Sequence, residues 1–506
     1  MKHIVSAGAL VLVICMLFGG CGGRKEDGLP EDTPWNHGVS AIMETELGWY
    51  TTGIGEEICL RYYDKESGES IFLCNRPECE HHCDDTCEAT YRNLKVVNAC
   101  LYEGFIYLLG WEGVCNDTLD MAEKDIPETE IAEHIDLSLY RAALDGSAMD
   151  KVATVFETDN LQHQRVNRAR RTAGILNSEH DDTSFIIHKG VAYIPVYLML
   201  GGGSNGLRGA GLYKVNLSTG VTKEIETYDT LQSRAPAFLY GVSDYVYYYR
   251  YDAGAQRQLW YRYLISEDRI EAADPMFYKT EEQNEMFGKS FLDLGVPAVF
   301  TEDREYFLVR SYQEKDAGVL SILAVDAKTQ ELLPKESFET KIEFNKRKFQ
   351  FNPRDNGYYS LTYYDGKFII SDVETVYAYD LKGKEIGEVD VPQEALKWND
   401  AEKQIRLEFK INDGKLYLIY GTKNAGIIGG TGYYHRVLSC PLDAIYKGQG
   451  EWTNAYRMQG RRTFKEYLTQ LAENQLESLS EEDRNRIGSV VTSWIRKYYA
   501  EEFGEE

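Results

Sequence analysis

Proline is scarce in this chain of 506 residues, 12 against 37 tyrosines, and aromatic residues make up 12% of it. Aromatic side chains suit a pleated, half-buried surface, so strands are expected in preference to helices. Positive charge is also short: 55 Lys and Arg face 81 Asp and Glu, a formal net charge of −26. A nucleic-acid partner needs a basic footprint, so that class is excluded. The N-terminal apolar run, Ile4 to Phe18, falls below the ~20 residues a membrane-spanning helix requires. No Gly-Lys-Ser/Thr occurs in the Gly-rich stretches Gly201 to Gly211 and Gly426 to Gly432, which rules out a phosphate loop there. The 43% hydrophobic content is ample for a core.

The first residues read as an address. Lys2 supplies a positive n-region, Ile4 to Phe18 the apolar region, and Leu17-Phe18-Gly19-Gly20-Cys21 places small residues just before a cysteine. That segment resembles the lipobox of bacterial lipoproteins. The resemblance implies that residues 1–20 are a lipoprotein signal peptide and that Cys21 becomes an N-terminal residue carrying fatty acyl chains, palmitate among them. Residues 21–40 begin Gly- and charge-rich and are expected to form a flexible tether. An extracytoplasmic body, lipid-anchored to the bacterial cell membrane, follows as the expectation.

The body repeats one unit, a turn followed by an apolar and aromatic strand. Its seven occurrences begin at Leu47-Gly48, Glu103-Gly104, Lys189-Gly190, Ser243-Asp244, Glu302-Asp303, Asp365-Gly366 and Asp413-Gly414. A second aromatic-rich strand follows each, at Leu60, Leu139, Leu212, Leu259, Leu320, Val376 and Val437. Units that cannot bury their own faces are stable when stacked in a closed ring. The expected fold is all-β, a β-propeller of about seven blades over 41–458, with a β-sandwich as the alternative.

Function collects on loops carried by a rigid scaffold. Asn116 to Asp136 is an acidic insertion, and Leu161 to Asp182 holds a basic run, Arg165, Arg168, Arg170 and Arg171, able to meet an anion or simply to be solvated. Gly202-Gly203-Ser204-Asn205-Gly206 matches G-x-S-x-G, yet a nucleophile elbow must lead into a helix, whereas a strand-like Leu212-Tyr213-Lys214-Val215 follows. No catalytic role is assigned to it.

Between Cys74 and Cys87 lie four cysteines and two histidines. Thiolates and imidazoles in that number can hold zinc tetrahedrally; Cys74, Cys79, His81 and Cys87 are the preferred ligands, with His82 and Cys83 as alternates. Two disulfides satisfy the same residues in an oxidising compartment, and the spacing leaves both open. A structural clasp at 74–87 is expected in either case. The lipobox, the Leu73 to Ala89 Cys/His run and the Tyr-rich repeats together resemble a group of Gram-positive, clostridial-type lipoproteins with DUF5050 or TolB-like propeller domains. The resemblance implies an envelope-facing binding or scaffold role.

Beyond Arg457 the period changes. Phe464, Tyr467, Leu468 and Leu471, then Ile487, Val490, Val491, Trp494, Ile495 and Tyr498, fall at helical spacing, so 459–506 is expected to form a short helical hairpin. That stretch is too short for the hydrolase domain that propeller peptidases append. The leading function is therefore a non-enzymatic binding or scaffold module for an envelope protein or glycan, tied to the membrane by its lipid. The alternative is a carbohydrate-active or lyase-type propeller enzyme with paired carboxylates in the central channel.

Overall fold

The computed structural model describes residues 34–36, 42–52, 60–76, 94–112, 134–159, 185–199, 208–228, 237–252, 257–273, 290–314, 317–343, 359–372, 374–396, 404–423 and 436–457. Among them are 28 strands, from β1 (Ile42–Glu44) to β28 (Thr453–Arg457), in seven four-stranded sheets. Every sheet is an antiparallel meander of four consecutive strands, which are the blades of a seven-bladed β-propeller. The sandwich alternative falls, because no sheet is built from strands distant in sequence.

The first strand of each blade is innermost. These are β1, β5 (Leu94–Tyr102), β9 (Ile186–His188), β13 (Ala237–Val242), β17 (Ser290–Phe300), β21 (Ser360–Tyr364) and β25 (Gln404–Asn412). Each packs against the innermost strand of the next blade from β1 through β25. The core is divided among the seven seams between blades. Cys100, Leu137 and Ile194 lie between blades 2 and 3, and Tyr306, Ile322 and Phe368 between blades 5 and 6.

All seven repeat units fall on the turn between the first and second strands of a blade, and all seven following strands are third strands. In four blades the turn is an X-Gly pair with both residues at positive φ, for example Asp413 (45°) and Gly414 (68°). That is the backbone of a type I′ turn, whose twist matches the strands it joins. Blades 1 and 5 depart from the expected unit. There Thr45 and Thr301 close the turn, each hydroxyl accepting the amide of Gly48 or Arg304 at 3.2 and 3.1 Å. Gly48 is strand rather than turn, and is glycine because a Cβ would lie 2.3 Å from the Tyr62 ring.

The turns between third and fourth strands share a second device. Asp64, Asn216, Asp326 and Asp380 each accept two backbone amides through Oδ1, those of Lys382 and Lys384 at 2.8 and 2.9 Å in the last case. Such side chains mimic a turn of backbone and set the reversal locally.

In a meander, first-to-second and third-to-fourth turns share one face, and the remaining connections leave from the other. The first face carries the short turns just described. The strand ends of the second face lead into 53–59, 77–93, 113–133, 160–184, 200–207, 229–236, 253–256, 274–289, 315–316, 344–358, 397–403 and 424–435, all outside the described residues. The second face is thus a long-connection rim.

Residues 34–36, inside the stretch expected to be tether, are part of the body. Pro34–Asn36 forms a 3-10 turn that packs on β5, β9 and β25, and Trp35 is only 2% exposed. The side chain finds an aromatic site on blades 1 and 7, which fixes this segment despite its polar surroundings.

Candidate functional site

Of the candidate ligands, Cys74 is described and half-buried, while Cys79, His81, His82, Cys83 and Cys87 lie outside the described residues, as does Cys21. Cys74 follows the outermost strand of blade 1 and sits against a turn of blade 2. A Cβ on Gly146 of that turn would come 2.6 Å from the Leu73 carbonyl and 3.1 Å from the Cys74 amide. The run therefore begins pinned at the outer edge of the seam between blades 1 and 2. Among the described residues no group of three or more His, Cys, Asp or Glu could hold a metal ion.

The Arg165 to Arg171 run, the 202–206 match and the second Gly-rich stretch from 426 also lie outside the described residues. The strands that flank them end on the long-connection rim. Arg208, Gly209 and Gly211, expected in the first Gly-rich loop, belong to the strand Arg208–Asn216. A Cβ on Gly211 would approach the Glu226 carbonyl to 2.9 Å, so packing explains that glycine. Residues 344–358, which leave the same rim, contain a second basic run, Lys346-Arg347-Lys348, equally visible in the sequence and passed over above.

Two described carboxylates toward this rim, Glu112 and Glu226, are held by the scaffold. Glu112, at the end of the second strand of blade 2, accepts Ser138 Oγ at 2.8 Å, Lys151 Nζ at 2.6 Å and the Tyr140 hydroxyl. Burial opposes its ionisation, but the bonds from Lys151, Tyr140 and Ser138 outweigh it and keep the carboxyl below its usual range. Glu226 of blade 3 accepts Tyr248 and Arg250 of blade 4, each at 2.9 Å, and the Arg250 guanidinium stacks 3.7 Å from the Tyr261 ring centroid.

Nearer the short-turn face, Glu305 of blade 5 is fully buried. Its Oε1 accepts Tyr247 at 2.9 Å, Gln330 Nε2 at 2.8 Å and Arg262 at 3.2 Å. Arg262 also binds Glu271 at 2.9 Å. Two carboxylates thus share one guanidinium, but inside the seam of blades 4 and 5 rather than in the channel. They staple blades together. Sequence reasoning had no means of choosing Glu271 and Glu305 from 81 acidic residues, since the choice depends on which blade faces they reach.

Toward the short-turn face, Trp35 is buried between blades 7 and 1, and its turn packs on the innermost strands β5, β9 and β25. Its ring makes edge-on contacts with Trp49 (5.7 Å) and Tyr417 (5.9 Å), and Lys410 Nζ lies 4.9 Å from its centroid. Asn36 Nδ2 donates to the Ile187 carbonyl at 2.9 Å.

Solved structures similar to this chain are distant from it in sequence. A prolyl endopeptidase is 12% identical with a TM-score of 0.41, over 83% of this chain and 50% of its own. This chain thus spans half the length of that enzyme. An oligogalacturonate lyase in complex with manganese is 11% identical, TM-score 0.37, over 71% of this chain and 79% of that one. The propeller domain of the trilobed protease from Pyrococcus furiosus is 11% identical, TM-score 0.35, over 83% and 98%. No family model and no curated protein matches the chain. A propeller hosts many activities, so the fold leaves the task to be argued from the molecule's own surfaces.

Proposed function

We propose that this protein is a lipid-anchored, extracytoplasmic binding module that presents its long-connection rim to an envelope protein or glycan. The supporting observation is the asymmetry of the two faces: one has short turns, with the buried Trp35 turn packed beside them, and the other collects the long connections. The rigid ring supplies positions, and the connections supply variety. Their Arg165 to Arg171 and Lys346 to Lys348 runs stand out against a net charge of −26 and favour acidic groups on the ligand.

The lipobox resemblance supports attachment through Cys21, and no helix among the described residues is long and apolar enough to cross a membrane. Metabolic labelling with a palmitate analogue tests the anchor; the wild-type chain should be labelled and partition with membranes, and Cys21→Ser should do neither. Binding is tested on purified protein with anionic cell-wall glycan and with envelope extract in parallel. Replacing Arg165, Arg168, Arg170 and Arg171 with Ser should weaken binding about tenfold or more, as loss of several charge contacts does. Unchanged binding to every fraction that retains the wild type removes that run from the interface.

Zinc or disulfides at Cys74 to Cys87 remain the two readings of the clasp, and the position of Cys74 on a blade seam favours a structural role for either. Metal analysis of protein purified without reductant decides: about one zinc per chain supports the knuckle, and no zinc with no titratable thiol in that run supports the bridges.

A further inference from the structure

Six seams join blades that follow one another in sequence, so the chain itself keeps those neighbours together. The seventh joins blade 7 to blade 1, and no strand crosses it, since β1 to β4 (Ser70–Phe72) and β25 to β28 are each complete sheets of consecutive strands. Among the described residues its buried cluster is the smallest, seven residues against nine in the seam of blades 1 and 2 and fourteen in that of blades 2 and 3. Blade 1 is also slight, with strands of three, five, five and three residues. A ring joined only by this patch has one weak seam.

Trp35 lies in that seam. It touches Trp49 of blade 1 and Tyr417 of blade 7 by edge-to-face contacts, and Trp49 meets Tyr417 at 5.8 Å, so three rings brace one another. Such contacts are directional and add to the area they bury. The buried Lys410 of blade 7 approaches the Trp35 ring as a cation, an attraction that strengthens where water is excluded. Asn36 carries the same turn to blade 3 through its buried bond to Ile187, and the turn also packs on β5 of blade 2. One short turn thus reaches blades 1, 2, 3 and 7.

We infer that the Trp35-Asn36 turn is the latch of the ring, closing the seam between blades 7 and 1 in place of an exchanged strand. Its removal should loosen that seam before any other. Hydrogen exchange read by mass spectrometry on the full-length chain tests this. Trp35→Ala should speed amide exchange about tenfold in the strands of blades 1 and 7, with blades 4 and 5 little changed, because local opening exposes a contiguous unit. Trp35→Phe, which keeps an aromatic ring, should fall between. Val309→Ala, in the seam of blades 4 and 5, should leave the exchange of blades 1 and 7 unchanged. Should Trp35→Ala fail to accumulate, Trp35→Phe combined with Asn36→Ala reads the same peptides. Equal acceleration in all seven blades, or none in blades 1 and 7, overturns the latch.

Discussion

Glu305 has no exposure to solvent, and its burial pushes the carboxyl up to about 7 despite bonds from Gln330, Tyr247 and Arg262 that favour the charged form. Arg262 keeps Glu271 when Glu305 takes a proton, so the network tolerates the neutral acid. The unfolded carboxyl titrates near 4.5 and the folded one near 7. Within that interval the folded chain binds the extra proton, and the stability this group contributes is present at the acid end and lost as pH rises. Denaturant unfolding across that range should show the decline, and Glu305→Gln, which cannot titrate, should flatten it. An identical pH slope in the variant would assign the dependence to other groups.

Turns show how far elements are set by their own residues. Gly383 and Gly414 both have positive φ, 76° and 68°, but a Cβ on Gly383 would meet the Phe338 ring at 2.6 Å while Gly414 faces open space. Gly414→Ala should therefore cost roughly 1 kcal/mol from backbone strain alone, and Gly383→Ala should cost more and lower the melting temperature further. Equal shifts in calorimetry would mean that the Phe338 ring yields freely. Positive φ is a local demand that Gly, Asp and Asn answer, and so the hairpins could be read from the sequence. At blades 1 and 5 the marked units Leu47-Gly48 and Glu302-Asp303 do locate the turn, but the hydroxyl caps of Thr45 and Thr301 that close it leave no such signature. Trp35 was illegible for the opposite reason: a lone aromatic in a polar stretch is buried by partners such as Tyr417, which no local pattern connects to it. Of the candidate ligands, the placement of Cys74 at a seam was not legible either, because it depends on a turn of the next blade.

Across the whole molecule, the rim and the latch assign different work to the two faces, and substitutions on one should spare the other. None of the described seams includes the Arg165 to Arg171 run, so its change should leave the melting temperature within a degree or so of wild type, while Trp35→Ala lowers it. The seam that Trp35 closes also fixes an order of assembly. Its partners Lys410 and Tyr417 are synthesised only with the seventh blade, whereas the six other seams unite neighbours in sequence. Contacts so distant along the chain form late, after the loops between them have been ordered. Refolding should then show two phases, an early rise of strand signal by circular dichroism and a slower tryptophan fluorescence change that Trp35→Phe diminishes. During synthesis the Trp35 turn waits for the last blade, so a chain truncated before Gln404 would keep Trp49 beside that side chain but lack Lys410 and Tyr417, and an unfinished ring would leave the tryptophan part-exposed.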